Sequence, residues 1–149
     1  MKINHPLMHN NFSNSDIREV KKLLKNKNII LTQSKKVLEF EKKWSKWLGV
    51  KYSVFVNSGS SANLLSMLIL KSFSTKKKEV IVPSLTWVSD INSVIMSGFK
   101  PIFVDINPNS LSMDENQIIK KVNKNTLAVF ITHAQGFNGL SDKLLNFLK

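Results

Sequence analysis

From about residue 50 onward, short apolar segments alternate with amphipathic ones, and no other feature of the sequence constrains the fold as strongly. Tyr52-Ser53-Val54-Phe55-Val56 carries β-branched and aromatic residues without a breaker and reads as a strand. It runs into the turn Asn57-Ser58-Gly59-Ser60-Ser61 and then a helix through Ala62, Leu64, Leu65, Leu68 and Ile69. Glu79-Val80-Ile81-Val82 is the next strand, stopped by Pro83, and a helix from about Thr86 to Ser97 ends at Gly98. Pro101 to Ile106 is a third strand, and Asp114 caps a helix carrying Ile118, Ile119 and Val122. Thr126 to Ile131 is a fourth strand, after which Ser141 caps a last helix with Leu144, Leu145, Phe147 and Leu148. Strands that are apolar almost throughout, joined by helical crossovers, require a parallel sheet covered on both faces. The expected fold class is therefore α/β.

The first 50 residues follow a different pattern. Ser15-Asp16 opens a helix through Ile17, Val20, Leu23 and Leu24, and Asn26-Lys27-Asn28 breaks it. Ile29 to Thr32 is short and extended. A second helix carries Val37, Phe40, Trp44, Trp47 and Leu48 at helical spacing and stops at Gly49. Such an aromatic stripe ordinarily means packing, here against the sheet or a partner subunit. The expected division is a helical segment over residues 1–50 and a sheet-bearing part over 51–149.

Composition narrows the function classes. The 149 residues include no cysteine, which excludes disulfides, zinc-thiolate sites and thiol nucleophiles. No apolar run approaches the roughly 20 residues needed to span a bilayer, and Met1 to Pro6 lacks the apolar stretch of a secretory signal. These features lead to the expectation of a soluble cytoplasmic protein with no membrane partner. The formal charge of +12 invites a nucleic-acid role, but Arg18 is the only arginine and the lysines are scattered, apart from Lys76-Lys77-Lys78. Base and phosphate recognition leans on the planar arginine fork, so no nucleic-acid partner is expected.

In an open parallel sheet, ligands bind beyond the carboxyl ends of the strands. Reading those ends in turn gives Asn57 to Ser61, Pro83 to Trp87, Asp105, and His133 to Gly136. Gly59 permits a tight turn, and Ser60-Ser61-Ala62 opens a helix whose free N–H groups and dipole attract a phosphate. The same run also reads as an ordinary turn and cap. Neither a Walker loop nor a G-x-G-x-x-G pattern is present, so the site suits a single phosphate group. Trp87 is placed to stack on a planar ligand, or else to serve as a core residue at a helix start. Asp105, followed by Asn107-Pro108-Asn109, shapes a turn in the simplest reading. His133 is a candidate acid or base, or a hydrogen-bonded structural residue.

Taken together, these motifs resemble the DegT/StrS family of pyridoxal-phosphate-dependent nucleotide-sugar aminotransferases, in the fold-type I aspartate aminotransferase superfamily. The resemblance is carried by Thr32 to Val37 with Phe40-Glu41, Asn57 to Ala62, Glu79 to Pro83 with Thr86-Trp87, and Pro101 to Asp105. It implies a three-layer large domain, of which residues 51–149 would be the first part, with pyridoxal 5'-phosphate (PLP) as cofactor. By position, Ser60 and Ser61, with Gly59 in their turn, match the residues that hold the cofactor phosphate. Trp87 matches the aromatic that stacks on the pyridine ring. The substrate would be a nucleotide-linked keto-sugar, the amino donor glutamate, and the assembly a cytoplasmic homodimer serving polysaccharide biosynthesis.

Two departures qualify the resemblance. Ser34 stands where the family usually has glycine. The family's later motifs, an acidic partner of the pyridinium nitrogen and the Schiff-base lysine, find no match before Lys149, so no catalytic residue is expected in this chain. A related sugar 3-dehydratase, which carries histidine in place of that lysine, and an inert truncated remnant are the alternatives. Four parallel strands without further cover would leave apolar faces and edges open, and the polypeptide alone is expected to be poorly stable.

Overall fold

The computed structural model describes residues 10–73 and 76–149, which fall into two compact units divided between Phe55 and Val56. The chain start read above, Met1 to Pro6, lies outside the described residues.

In the first unit, helix α1 (Asn14–Leu24) begins one residue before the Ser15-Asp16 pair. Ser13 is the cap: its hydroxyl accepts the Asp16 N–H, and the Asp16 carboxylate accepts the Ser13 N–H at 2.8 Å, closing a reciprocal box. Helix α2 (Lys35–Leu48) ends at Gly49, whose φ of 76° is the left-handed turn that glycine adopts without strain. The rings of Phe40, Trp44 and Trp47 pack on one another along α2, and Phe40 meets Phe55 edge-on at 5.5 Å.

Tyr52 to Val56 is not a strand. It is extended, yet no ladder partner lies beside it among the described residues, and Tyr52 and Val54 remain exposed. Its polar groups are met by α2 instead, with the Phe55 N–H donating to Glu41 Oε1 at 2.8 Å and Ser45 Oγ to Ser53 Oγ at 2.8 Å. β-propensity without a neighbour gives an extended segment only.

The second unit is built on three parallel strands: β1 (Glu79–Pro83), β2 (Lys100–Val104) and β3 (Thr126–Val129), in the order β2-β1-β3. Register pairs Glu79 with Lys100 and Pro83 with Val104 on one side, and Ile81 with Val129 on the other. Around them run α3 (Gly59–Phe73), α4 (Val88–Met96), α5 (Glu115–Lys121) and α6 (Asp142–Leu148). Alternation along β1 sends Val80 and Val82 to one face, with Met67, Val94 and Phe99, and Ile81 to the other, with Val104, Met113, Ile118 and Leu144. The central strand is thus covered on both faces, while Phe103 on β2 stays 47% exposed. Asp114 and Ser141 cap α5 and α6, the former accepting from the Asn116 and Gln117 N–H groups.

The packing ranks positions by cost. Ile118 is fully buried, so Ile118→Ala is expected to cost about 2–5 kcal/mol in denaturant unfolding, whereas exposed Lys120→Ala stays within about 0.5 kcal/mol. The Glu115 carboxyl is held below the usual glutamate range, first by the Ser141 hydroxyl and then by Lys143 at 3.1 Å. A carboxyl depressed on folding contributes stability above its unfolded value and loses it as pH falls through the folded one. Protection of α6 amides against hydrogen exchange is therefore expected to decline as pH drops below the glutamate range, and Glu115→Gln is expected to remove that pH dependence.

Candidate functional site

The site is built around the first turn of α3. Ser58 stands just before the helix, and its hydroxyl accepts the Ser61 N–H at 3.1 Å while its carbonyl accepts the Ala62 N–H at 3.1 Å. Ser58 Oγ also donates to Ser61 Oγ at 3.1 Å. The Gly59 and Ser60 N–H groups have no acceptor among the described residues, and neither does the Ser60 hydroxyl. Apart from its chain neighbours and its own helix, nothing lies within 4 Å of the place a Cβ would take at Gly59, so the space beside the turn is open. The positive end of the α3 dipole adds to their pull on an anion.

Trp87 comes from the corner between β1 and α4. It is the residue before the helix, with an extended backbone, and 73% of it is exposed. A core tryptophan would be covered, so the burial pattern departs from the packing reading of this residue. Ser60, Ser61 and Leu64 from α3, Trp87 from the corner, and Asn92 and Met96 from α4 line one depression of about 340 Å³. The structure thus brings Ser60, Ser61 and Trp87 together, with Gly59 opening the helix that presents the serines.

Asp90 was not singled out from the sequence. It lies in the first turn of α4 and is only 6% exposed. Its Oδ1 accepts from Asn63 Nδ2 at 2.7 Å, and its Oδ2 accepts from the Thr132 hydroxyl at 2.9 Å and from the Thr86 hydroxyl. The two threonine hydroxyls lie 2.8 Å apart. No ion pair among the described residues involves Asp90. One signal for it was present: Asp90, Ser93, Val94 and Ser97 share the buried stripe of the helix, and an acid in such a stripe needs donors from elsewhere.

Asp105 and His133 do not line this depression. Asp105 Oδ1 accepts the Ile106 N–H at 2.8 Å and the Ser84 hydroxyl at 3.3 Å, which is the turn-shaping arrangement. His133 Nδ1 accepts the Gly139 N–H at 2.9 Å, closing the loop that follows β3. Gly139 is buried there, with Ile131 Cγ2 3.2 Å from where its Cβ would be.

The chain is similar to proteins of known activity. The chain is 31% identical over 140 residues to the GDP-4-keto-6-deoxy-D-mannose 3-dehydratase of Escherichia coli O55:H7, covering 90% of this chain and 35% of that protein. It is 33% identical over 144 residues to the UDP-4-amino-4,6-dideoxy-N-acetyl-beta-L-altrosamine transaminase of Campylobacter jejuni serotype O:23/36, covering 95% and 37%. Among solved structures, the E. coli GDP-4-keto-6-deoxy-D-mannose-3-dehydratase with bound hydrated PLP superposes with a TM-score of 0.77 at 30% identity, covering 88% of this chain and 34% of that one. The chain spans about a third of the length of the curated relatives it matches. The sequence model of the DegT/DnrJ/EryC1/StrS aminotransferase family matches residues 10–142, and the chain belongs to that family.

Proposed function

We propose that this chain forms the front part of the PLP site of an enzyme that transfers an amino group, from glutamate, to a nucleotide-linked keto-sugar. The observation that carries the reading is the depression between α3 and α4, which sets two serines at a helix N-terminus beside an uncovered tryptophan. The donor set suits the cofactor. Free N–H groups at Gly59 and Ser60, an unpartnered Ser60 hydroxyl and the helix dipole match a phosphate monoester dianion, and the indole of Trp87 matches a planar ring.

In this reading Ser60, Ser61 and the Gly59 and Ser60 N–H groups hold the phosphate, while Trp87 covers one side of the ring. The cofactor, when bound, supplies the electron sink for chemistry at the substrate carbon. The residues of this chain would contribute binding and orientation, and Leu64 and Met96 add apolar surface to the depression. Residues 51–149 would then be the first part of the large cofactor domain, preceded in sequence by a helical segment over 1–50. Assembly as a cytoplasmic homodimer belongs to the same proposal, supported by the family resemblance.

Dehydration is the second reading. It is favoured by the 3-dehydratase relative, which at 31% identity aligns over 90% of the chain. Incubating the full-length protein with PLP, glutamate and a nucleotide-linked 4-keto-6-deoxyhexose separates the two by mass. Amino transfer gives a product that gains nitrogen and keeps every ring hydroxyl, and dehydration gives one that has lost the 3-hydroxyl. For the site itself, the Ser60→Ala/Ser61→Ala double variant is expected to weaken PLP binding at least about tenfold in a titration, since a hydrogen bond to a charged group is worth about 1.5–3 kcal/mol. Trp87→Ala is expected to weaken it about three- to tenfold, with Trp87→Phe recovering most of the loss. Unchanged affinity in both would remove the cofactor assignment.

A further inference from the structure

The Asp90 cluster ties together the segments from which the site is made. Asn63, its α3 donor, lies half a turn beyond Ser61 on the helix that presents the serines. Thr86, its corner donor, immediately precedes Trp87. Thr132, which follows β3, donates to the same oxygen as Thr86. One carboxylate thus holds the serine turn with Oδ1 and the tryptophan corner with Oδ2.

Stability alone does not call for this device. The α3–α4 contact already has an apolar core in Met67, Val94 and Phe99, with Leu70 and Ile91 packed against it. Burying a carboxylate with only neutral donors around it is costly, and well-packed apolar residues would join the two helices at less expense. What a carboxylate does that packing cannot is accept on both sides at once, along fixed directions, so the two segments are set at a defined distance.

We infer that Asp90 is a positioning residue that fixes the separation between the Ser60-Ser61 turn and the Trp87 ring. This rests on the reading of the α3–α4 depression as a PLP site. A ligand gripped at two points binds tightly only when both points have the right spacing, because the second contact is then made without further ordering. A ligand gripped at one point is indifferent to that spacing. The role therefore has a signature that a purely stabilising residue lacks: disturbing Asp90 harms a phosphorylated aromatic ligand and spares each half of it.

The test compares PLP, inorganic phosphate and pyridoxal by calorimetric titration of the full-length protein freed of cofactor. It uses wild type, Asp90→Ala and Asp90→Asn, with circular dichroism as the control for folding. Asp90→Ala is expected to weaken PLP tenfold or more, and phosphate and pyridoxal less than twofold each. Asp90→Asn is expected to recover much of the loss, since its amide can accept from Asn63 and donate to a threonine hydroxyl. If Asp90→Ala fails to fold, Thr132→Val removes one donor and is expected to show the same selective loss in smaller measure. Equal loss for all three ligands, or none for PLP, would overturn the inference while leaving the cofactor reading intact. Wild-type protein that binds PLP without competition from phosphate would overturn both.

Discussion

Everything in the second unit hangs on the central strand. Val80, Ile81 and Val82 of β1 are completely buried, and β1 alone is hydrogen-bonded on both sides. Its alternation assigns the two apolar clusters to opposite faces, so α3 and α4 are committed to one side and α5 and α6 to the other. The chain beyond the strand must then turn away at Pro83, and the corner that follows carries Ser84, Thr86 and Trp87 to the sheet edge. Apolar burial along three residues thus determines where the polar chemistry emerges.

Much of this was legible in the sequence because it depends on local signals. Asp114, Ser141 and Gly49 end or begin helices through their own side chains or backbone, and each was readable where it stood. The strands from Glu79 and from Thr126 were readable from unbroken apolar runs. Tyr52 to Val56 carried the same local signal and failed, because a strand also needs a neighbour and propensity says nothing about who is adjacent. The start of α1 was misplaced for a smaller reason. Ser13, Ser15 and Asp16 are all capping residue types, and only the reciprocal bond between Ser13 and Asp16 decides among them.

The site divides along the same line. Gly59, Ser60 and Ser61 announce themselves by residue type at a helix start and Trp87 beyond a strand end, and the structure sets the two serines and Trp87 around one depression. Asp105 and His133 announce themselves equally, yet neither lines the depression, and Asp105 Oδ1 and His133 Nδ1 accept backbone N–H groups of nearby turns. Asp90 gave the weakest signal and makes the most connections. Asn63 and Thr132 are distant in sequence, and the convergence of two segments on one carboxylate exists only after the sheet has formed.

Gly98 has a mechanical consequence. At φ 79° it reverses the chain directly after α4, with the Gly98 N–H on the Ile95 carbonyl at 2.9 Å and the Phe99 N–H on the Val94 carbonyl at 3.1 Å. The helix therefore runs between two adjacent strands on short tethers, leaving β1 through the Ser84–Trp87 corner and entering β2 at Lys100. A strut clamped at both ends cannot slide along its axis without dragging the sheet. Any movement of Trp87 relative to the sheet comes from rotation about its own side-chain bonds, and the helix behind it acts as a fixed mount.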